Sequence, residues 1–208
     1  MARTKSSKQW LQRHVKDPYV RKARAEGYRS RAAFKLIEIA ARDRLLIPGA
    51  KVVDLGAAPG GWSQVAVQKV GPGGKVIAVD LLEIAPISAV TVLVGDFRQP
   101  AVQAQLAAAL GGQKADVGLS DLSPNISGIA SADQARAAEL VRMAIEFCRS
   151  QLKPSGAFLV KVFQGDEFSG VLREMKRVFR AVRTIKPSAS RDQSRETYLL
   201  ASGLKGIQ

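Results

Sequence analysis

The sequence predicts an α/β fold, a doubly wound and mostly parallel sheet with helices on both faces. Three observations carry this. From about residue 48, short apolar runs alternate with stretches of helical periodicity. A glycine-rich turn, Asp54-Leu55-Gly56-Ala57-Ala58-Pro59-Gly60-Gly61-Trp62, joins the first apolar run to the first helix of the body. Acidic residues stand at the carboxyl ends of successive runs: Asp54, Asp80, Asp96 and Asp121. Strands regularly spaced by helices build parallel sheets covered on both sides.

Taken in order, residues 17–26 and 31–41 read as basic helices, with Ser30 placed to cap the second. Residues 51–55 form a strand that runs into the glycine-rich turn. Residues 62–70 form a helix, broken by Gly71-Pro72-Gly73-Gly74. Strands follow at 75–79 and 90–94. An alanine-rich helix fits 99–110 and is closed by Gly111-Gly112. Residues 117–120 are a fourth strand, followed by Pro124 in a loop. A long helix covers 131–152, with Asp133 suited to cap it; Ala137, Leu140, Ile145 and Cys148 fall near one face. Residues 157–163 are a fifth strand, 168–179 a helix, and 197–202 the last strand. There is no internal repeat and no long linker. The chain therefore reads as a single domain over 1–208, with 1–47 a basic helical extension and 48–204 the body.

Charge divides the chain in the same way. The 208 residues carry a formal net charge of +14. Residues 1–47 hold 13 Lys and Arg against 4 acids, a net of +9. Residues 48–172 are near neutral at −1, and residues 173–208 return to +6. Segregated charge of this kind suits a polyanion such as nucleic acid, and the two basic ends are expected to form one face around the crevice. With hydrophobic residues at 46%, a wholly disordered basic tail is excluded. No apolar run reaches the ~18–20 residues that span a bilayer, so no membrane partner is expected. The opening residues lack the apolar stretch of a signal peptide, which predicts a cytoplasmic chain. Cys148 is the only cysteine and His14 the only histidine. An internal disulfide, a multi-cysteine or multi-histidine metal site and a His-based triad are thereby excluded or disfavoured, and no metal is expected. Trp10 and Tyr28 read equally well as core residues or as base-stacking platforms.

The turn is the first functional signal. Its spacing is D-x-G-x-x-x-G, neither the G-x-G-x-x-G of dinucleotide sites nor a phosphate-binding P-loop, because no Lys follows. Glycines such as Gly56 and Gly60 let the backbone bend and approach a ligand closely. Asp80 ends the second strand, 26 residues after Asp54, where an acid accepts hydrogen bonds from ribose hydroxyls. Asp96 and Asp121 end the third and fourth strands. Any one of these acids also reads as a helix cap; four in succession point to one crevice for a nucleoside-bearing ligand.

These residues resemble S-adenosylmethionine-dependent methyltransferases, and more narrowly the FtsJ/RrmJ family of ribose 2′-O-methyltransferases. The likeness rests on the glycine-rich turn and on Ser30-Arg31-Ala32-Ala33-Phe34-Lys35-Leu36, Gly95-Asp96-Phe97, Ser120-Asp121-Leu122-Ser123-Pro124-Asn125, Val160-Lys161-Val162-Phe163-Gln164-Gly165 and Ser194-Arg195-Glu196-Thr197-Tyr198. Together these cover the chain from about residue 10 to 202. Ser123, where an Ala is common, and Pro154-Ser155-Gly156, in place of Pro-Gly-Gly, depart from the pattern without touching its functional positions. The resemblance implies a Rossmann-like methyltransferase fold with a seven-stranded sheet and S-adenosyl-L-methionine as cofactor. It implies a catalytic tetrad of Lys35, Asp121, Lys161 and Glu196. Gly60 and Trp62 would contact the methionine part of the cofactor, Asp80 its ribose and Asp96 its adenine amino group, with Asp54, Gly56 and Asp121 completing the pocket. The implied substrate is a uridine 2′-hydroxyl of large-subunit (23S) ribosomal RNA, in the context of the 50S subunit, and the expected working unit is a monomer.

The chemistry explains why such residues are needed. A ribose hydroxyl is a very weak acid, so its proton needs an acceptor or a cationic environment. A lysine accepts a proton only when neutral, which requires burial or a neighbouring cation to lower its ordinary pKa of ~10.4. Lys161 is assigned as the acceptor and Lys35 as the second cation, which also holds the acceptor nucleotide. Asp121 would orient the Lys161 amine, and Glu196 a lysine or the ribose. Taken alone, Lys161 reads as a snorkelling strand-end lysine and Lys35 as surface charge. Ribose methylation of tRNA or an mRNA cap, and a non-catalytic RNA-binding protein on the same fold, remain as alternatives; the turn spacing disfavours NAD-dependent oxidoreduction.

Overall fold

The computed structural model describes residues 17–206 except 126 and 192. Trp10 and His14 lie outside the described residues. Seven strands form one sheet in the order β3-β2-β1-β4-β5-β7-β6. They are β1 (Lys51–Leu55), β2 (Lys75–Asp80), β3 (Val90–Val94), β4 (Ala115–Ser120), β5 (Leu152–Phe163), β6 (Phe179–Ile185) and β7 (Glu196–Leu204). Strands β3 to β5 are parallel, whereas β7 runs antiparallel to both β5 and β6. Chain order reverses between β1 and β4, and a ligand crevice opens outside the strand ends at such a point.

The described residues form six helices: α1 (Pro18–Ala25), α2 (Ala32–Asp43), α3 (Gly61–Val70), α4 (Pro100–Ala109), α5 (Ala130–Gln151) and α6 (Phe168–Val178). Helix α1 packs on α2, and the others flank the sheet. The period-2 geometry of strands sorts their side chains into two layers. Val52, Val76, Leu159, Tyr198 and Leu200 face α2 and α3, packing with Leu36, Ile39, Trp62 and Val65. Val53, Leu55, Ile77, Val160 and Leu199 face the other way, toward Leu106 of α4, Ile145 of α5 and Met175 of α6.

The predicted strands and helices are all present, most within two residues of their expected ends. The element-by-element reading missed β6. It is an edge strand in which only Phe179 and Ile185 are buried, so its FRAVRTI sequence has no apolar alternation. Strand β5 begins at Leu152 rather than 157, because its pairing with β4 shifts register between Ala115 and Val117. Ser30 does not cap α2; the N-cap position is Arg31, without a side-chain cap bond. Asp133 does not occupy the N-cap of α5 either. It sits in the first turn and reaches back to accept from the Ser127 and Gly128 amides at 2.9 and 3.1 Å.

The expectation of one basic face needs a correction. Residues 17–47 and 183–196 do pack together, through Arg31 donating to the Ala189 carbonyl, Arg191 to Asp17 (3.0 Å) and Arg183 to Asp43. Helix α6, which carries Arg173, Lys176 and Arg177, packs in the opposite layer with Val171 and Met175. A strand crossover separates it from α1 and α2, so the C-terminal positive charge is divided between two faces.

Candidate functional site

Strand pairing builds the centre of the site. In the β5–β7 register Lys161 lies directly opposite Tyr198, and Phe163 opposite Glu196. Glu196 and Tyr198 are two residues apart, so they share a face of the sheet. Helix α2 covers that face and brings Lys35 in from above. Asp121 follows the last residue of β4, the neighbour of β5. Four chain segments thus place their functional groups at one end of the sheet.

Both lysines are buried, at 7% exposure for Lys35 and 6% for Lys161. The Lys35 Nζ donates to Glu196 Oε1 at 2.5 Å and to the Tyr198 hydroxyl at 3.2 Å. The Lys161 Nζ donates to the Asp121 carbonyl at 2.6 Å and pairs with Asp121 Oδ1 at 3.0 Å. The Tyr198 hydroxyl lies 3.1 Å from Asp121 Oδ1 and 3.2 Å from Glu196 Oε1. Tyr198 therefore joins the two lysine–carboxylate pairs into one network. Burial raises the Glu196 pKa, but Lys35, Lys161 and the Tyr198 hydrogen bond together outweigh it and hold the carboxyl below its ordinary value. Burial, with the Asp121 and Glu196 charges, pushes the Tyr198 pKa well up, so its hydroxyl stays protonated and donates. Buried charges persist when paired and hydrogen-bonded in this way.

A crevice of about 710 Å³ opens beside the network, with Asp121 in its wall. Gly56, Asp80 and Asp96 also line it, together with Leu81, Leu82 and Met143. Asp80 accepts from the Ala58 amide through Oδ2 and from the Leu82 amide through Oδ1, both at 2.8 Å. Each oxygen retains a lone pair for a ligand hydroxyl. Gly56 has φ +69°, and a Cβ there would stand 2.4 Å from Leu122 Cδ2. The turn therefore requires glycine both for its backbone angle and for the close approach of the β4 loop.

Other expected positions are placed differently. Asp54 does not reach the crevice: it is fully buried beneath the turn, where Ser63 Oγ donates to its Oδ2 at 2.7 Å. Burial pushes its pKa up to about 7, while Oδ1 has no partner. The Trp62 side chain also points away. It is buried in the core, donates to the Ala32 carbonyl at 2.8 Å and packs against Tyr198. Gly60, with φ +104°, precedes α3 and faces Ile84, Ile87 and Arg29 rather than lining the crevice. Gly60 and Trp62 are both buried, and neither lines the crevice. Asp96 does line the crevice, but Arg98 already holds both its oxygens through Nε at 2.9 Å and Nη2 at 2.5 Å. A ligand amino group must share that carboxylate or displace the guanidinium. The motif over residues 194–198 contains Tyr198 without assigning it a role; its two-residue spacing from Glu196 on one strand is the signal that places both on one face.

Similarity to known proteins agrees with this architecture. The chain is 54% identical over 205 residues to a protein of Azoarcus sp. named ribosomal RNA large subunit methyltransferase E, covering 99% of this chain and 100% of that one. A protein of the same name from Dechloromonas aromatica is 52% identical, with the same coverage. Among solved structures, a ribosomal RNA methyltransferase from Plasmodium falciparum superposes with a TM-score of 0.76 at 29% identity, covering 86% of this chain and all of that one. An S-adenosylmethionine-dependent O-methyltransferase from Thermotoga maritima shares the fold, with a TM-score of 0.55 at 16% identity over 82% of this chain and 64% of that one. The sequence profile of the FtsJ-like methyltransferases matches residues 28–204, and the chain belongs to that family.

Proposed function

We propose that this methyltransferase uses S-adenosylmethionine to methylate the 2′-hydroxyl of a uridine in large-subunit ribosomal RNA, within the ribosomal subunit. It acts as a monomer in the cytoplasm. The observation that carries the reading is the buried network of Lys35, Asp121, Lys161, Glu196 and Tyr198 beside an acid-lined crevice. The names of the full-length relatives support the choice of RNA.

The crevice fits the cofactor in size and chemistry. Its volume of about 710 Å³ is in the range of ligand pockets. Asp80 and Asp121 offer carboxylates to a cationic, hydroxyl-bearing ligand. When bound, S-adenosylmethionine supplies an electrophilic methyl group on a positively charged sulfur. The protein's own residues do the rest. Asp121 fixes Lys161 through both its carbonyl and its carboxylate, and Lys161, as the neutral amine, takes the 2′-hydroxyl proton at Nζ. The Lys35–Glu196 pair holds the acceptor nucleotide. Tyr198 keeps its proton and locks the two pairs in one geometry. Such alignment supplies a large part of catalysis, up to ~7–11 kcal/mol in well-oriented systems.

The test is radiolabelled methyl transfer to ribosomal RNA, free and within subunits, with mapping of the product. Lys161→Ala is expected to slow transfer by about 10²–10⁴-fold, the usual contribution of a general base, while cofactor binding is retained. Wild-type transfer by that variant would refute the role of Lys161. Label on a base, or on no RNA, would refute the ribose reading.

A further inference from the structure

At the opposite end of the sheet lies an open groove of about 1170 Å³. Five cations line it: Arg142 and Arg149 of α5, Arg177 of α6, Arg180 of β6 and Lys205 beyond β7. Its two acids are consumed locally, Glu174 by Arg142 at 2.9 Å and Glu146 by Arg149 at 3.0 Å. Among the described residues, neither Arg177 nor Arg180 has an ion-pair partner. The Arg180 stem is seated on Gly203, its Cδ 3.3 Å from where a Cβ would stand.

Helix-end electrostatics accounts for only part of this cluster. Arg149 and Arg177 fall in the last turns of α5 and α6, where cations complement the helix dipole. Arg180 is on a strand and Lys205 follows one, so the dipole does not require them. The groove has no aromatic lining on which a base would stack. It therefore suits phosphates of a nucleic-acid backbone rather than bases or a small ligand.

The placement is informative. Helix α5 lines the crevice with Arg136, Glu139 and Met143, and lines the groove with Arg142, Ile145 and Arg149. From Arg136 to Arg149 the rise along the helix is about 20 Å. We propose that the groove is a second RNA-docking surface, which grips backbone phosphates of the structured substrate away from the reacting ribose. This rests on the reading of the substrate as RNA and adds where else that RNA is held.

The experiment uses the full chain with Arg177→Glu/Arg180→Glu, and Arg177→Lys/Arg180→Lys as the charge-conserving control. Binding of deproteinised large-subunit ribosomal RNA and of vesicles containing anionic lipid is measured between 50 and 200 mM salt. Methyl transfer to large subunits is measured in parallel. The Glu variant is expected to bind RNA at least about tenfold more weakly. Its log–log salt slope should be shallower by about 1.5, since each lost phosphate contact removes about 0.7–0.9. KM should rise while kcat and the melting temperature stay unchanged, and the Lys variant should restore binding. Wild-type affinity and salt slope in the Glu variant overturn the proposal. So does a loss confined to the anionic vesicles, or a Lys variant as weak as the Glu variant. Failure of the wild-type protein to methylate RNA would count against the proposed function instead, because the RNA-binding comparison still reads the groove.

Discussion

The Tyr198 hydroxyl stands within 3.2 Å of Lys35, Asp121 and Glu196, so a single oxygen links both halves of the network. Tyr198→Phe keeps the ring against Trp62 and removes only that oxygen. One hydrogen bond to a charged group contributes about 1.5–3 kcal/mol, so kcat is expected to fall about 10–100-fold in single-turnover assays with cofactor affinity unchanged. Asp54 yields a different prediction. Its carboxyl is raised from 3.8 to about 7, chiefly by burial, with the Ser63 hydrogen bond opposing and the Asp121 and Asp80 charges adding. Below pH 3.8 the folded and unfolded states both hold the proton. Between about 4 and 7 the folded state binds more protons, so this group makes stability fall as pH rises, by at most about 1.4 kcal/mol per unit. Above 7 its effect levels off. Asp54→Asn is expected to flatten that slope, seen as a change in the Tm difference from wild type between pH 4 and pH 8. The motifs marked Lys35, Asp121, Lys161 and Glu196, and the structure brings all four together. They said nothing of which acids reach the crevice. Asp54 pairs with Ala78 and so shares a sheet face with Asp80, but it lies deeper along the strand, under Ser63, whereas Asp80 stands at the strand end in the crevice wall.

At the scale of elements, the turn between β1 and α3 depends on its neighbour. Gly56→Ala adds a Cβ that meets Leu122 Cδ2 at 2.4 Å and Cγ at 2.8 Å, in a backbone conformation with φ +69°. We expect a stability loss of about 1–3 kcal/mol from the strained backbone, together with weaker cofactor binding, measured by denaturant titration and equilibrium binding. Adding Leu122→Ala should relieve the clash but not the backbone strain, restoring only part of the loss. Helix α1 has a comparable anchor in Asp17, which accepts from the Tyr19 amide and from Arg191, both at 3.0 Å. Asp17→Ala removes an N-cap and the tie to the loop before β7, and is expected to cost about 1–2 kcal/mol in the same assay. The central strand Lys51–Leu55 and the edge strand Val90–Val94 were both legible to the residue, since each is a short apolar run bounded by turn signals. Strand β6 was not, because exposed Arg180 and Arg183 fall on opposite faces of this edge strand and only Phe179 and Ile185 are buried.

For the whole molecule, segregated charge was legible, but its division between two faces was not. Composition records how many cations lie in residues 173–196; the β6–β7 excursion decides which of them turn toward α2 and which toward α5. RNA binding should weaken steeply with salt, by at least about 100-fold between 50 and 200 mM, since phosphate contacts release counterions. Filter binding across that range checks it. One feature of the site also bears on how the protein matures. Lys35 and Glu196 are 161 positions apart in sequence, yet they meet at 2.5 Å. The crevice is lined by residues between Gly56 and Met143, from the β1 to β4 region and α5, which lie closer together in sequence. Long-range pairs close late, because the chain entropy of bringing them together must be overcome first. On the proposed mechanism, a chain that has assembled only the crevice is expected to remain catalytically silent, and turnover then reports that both ends of the chain have docked.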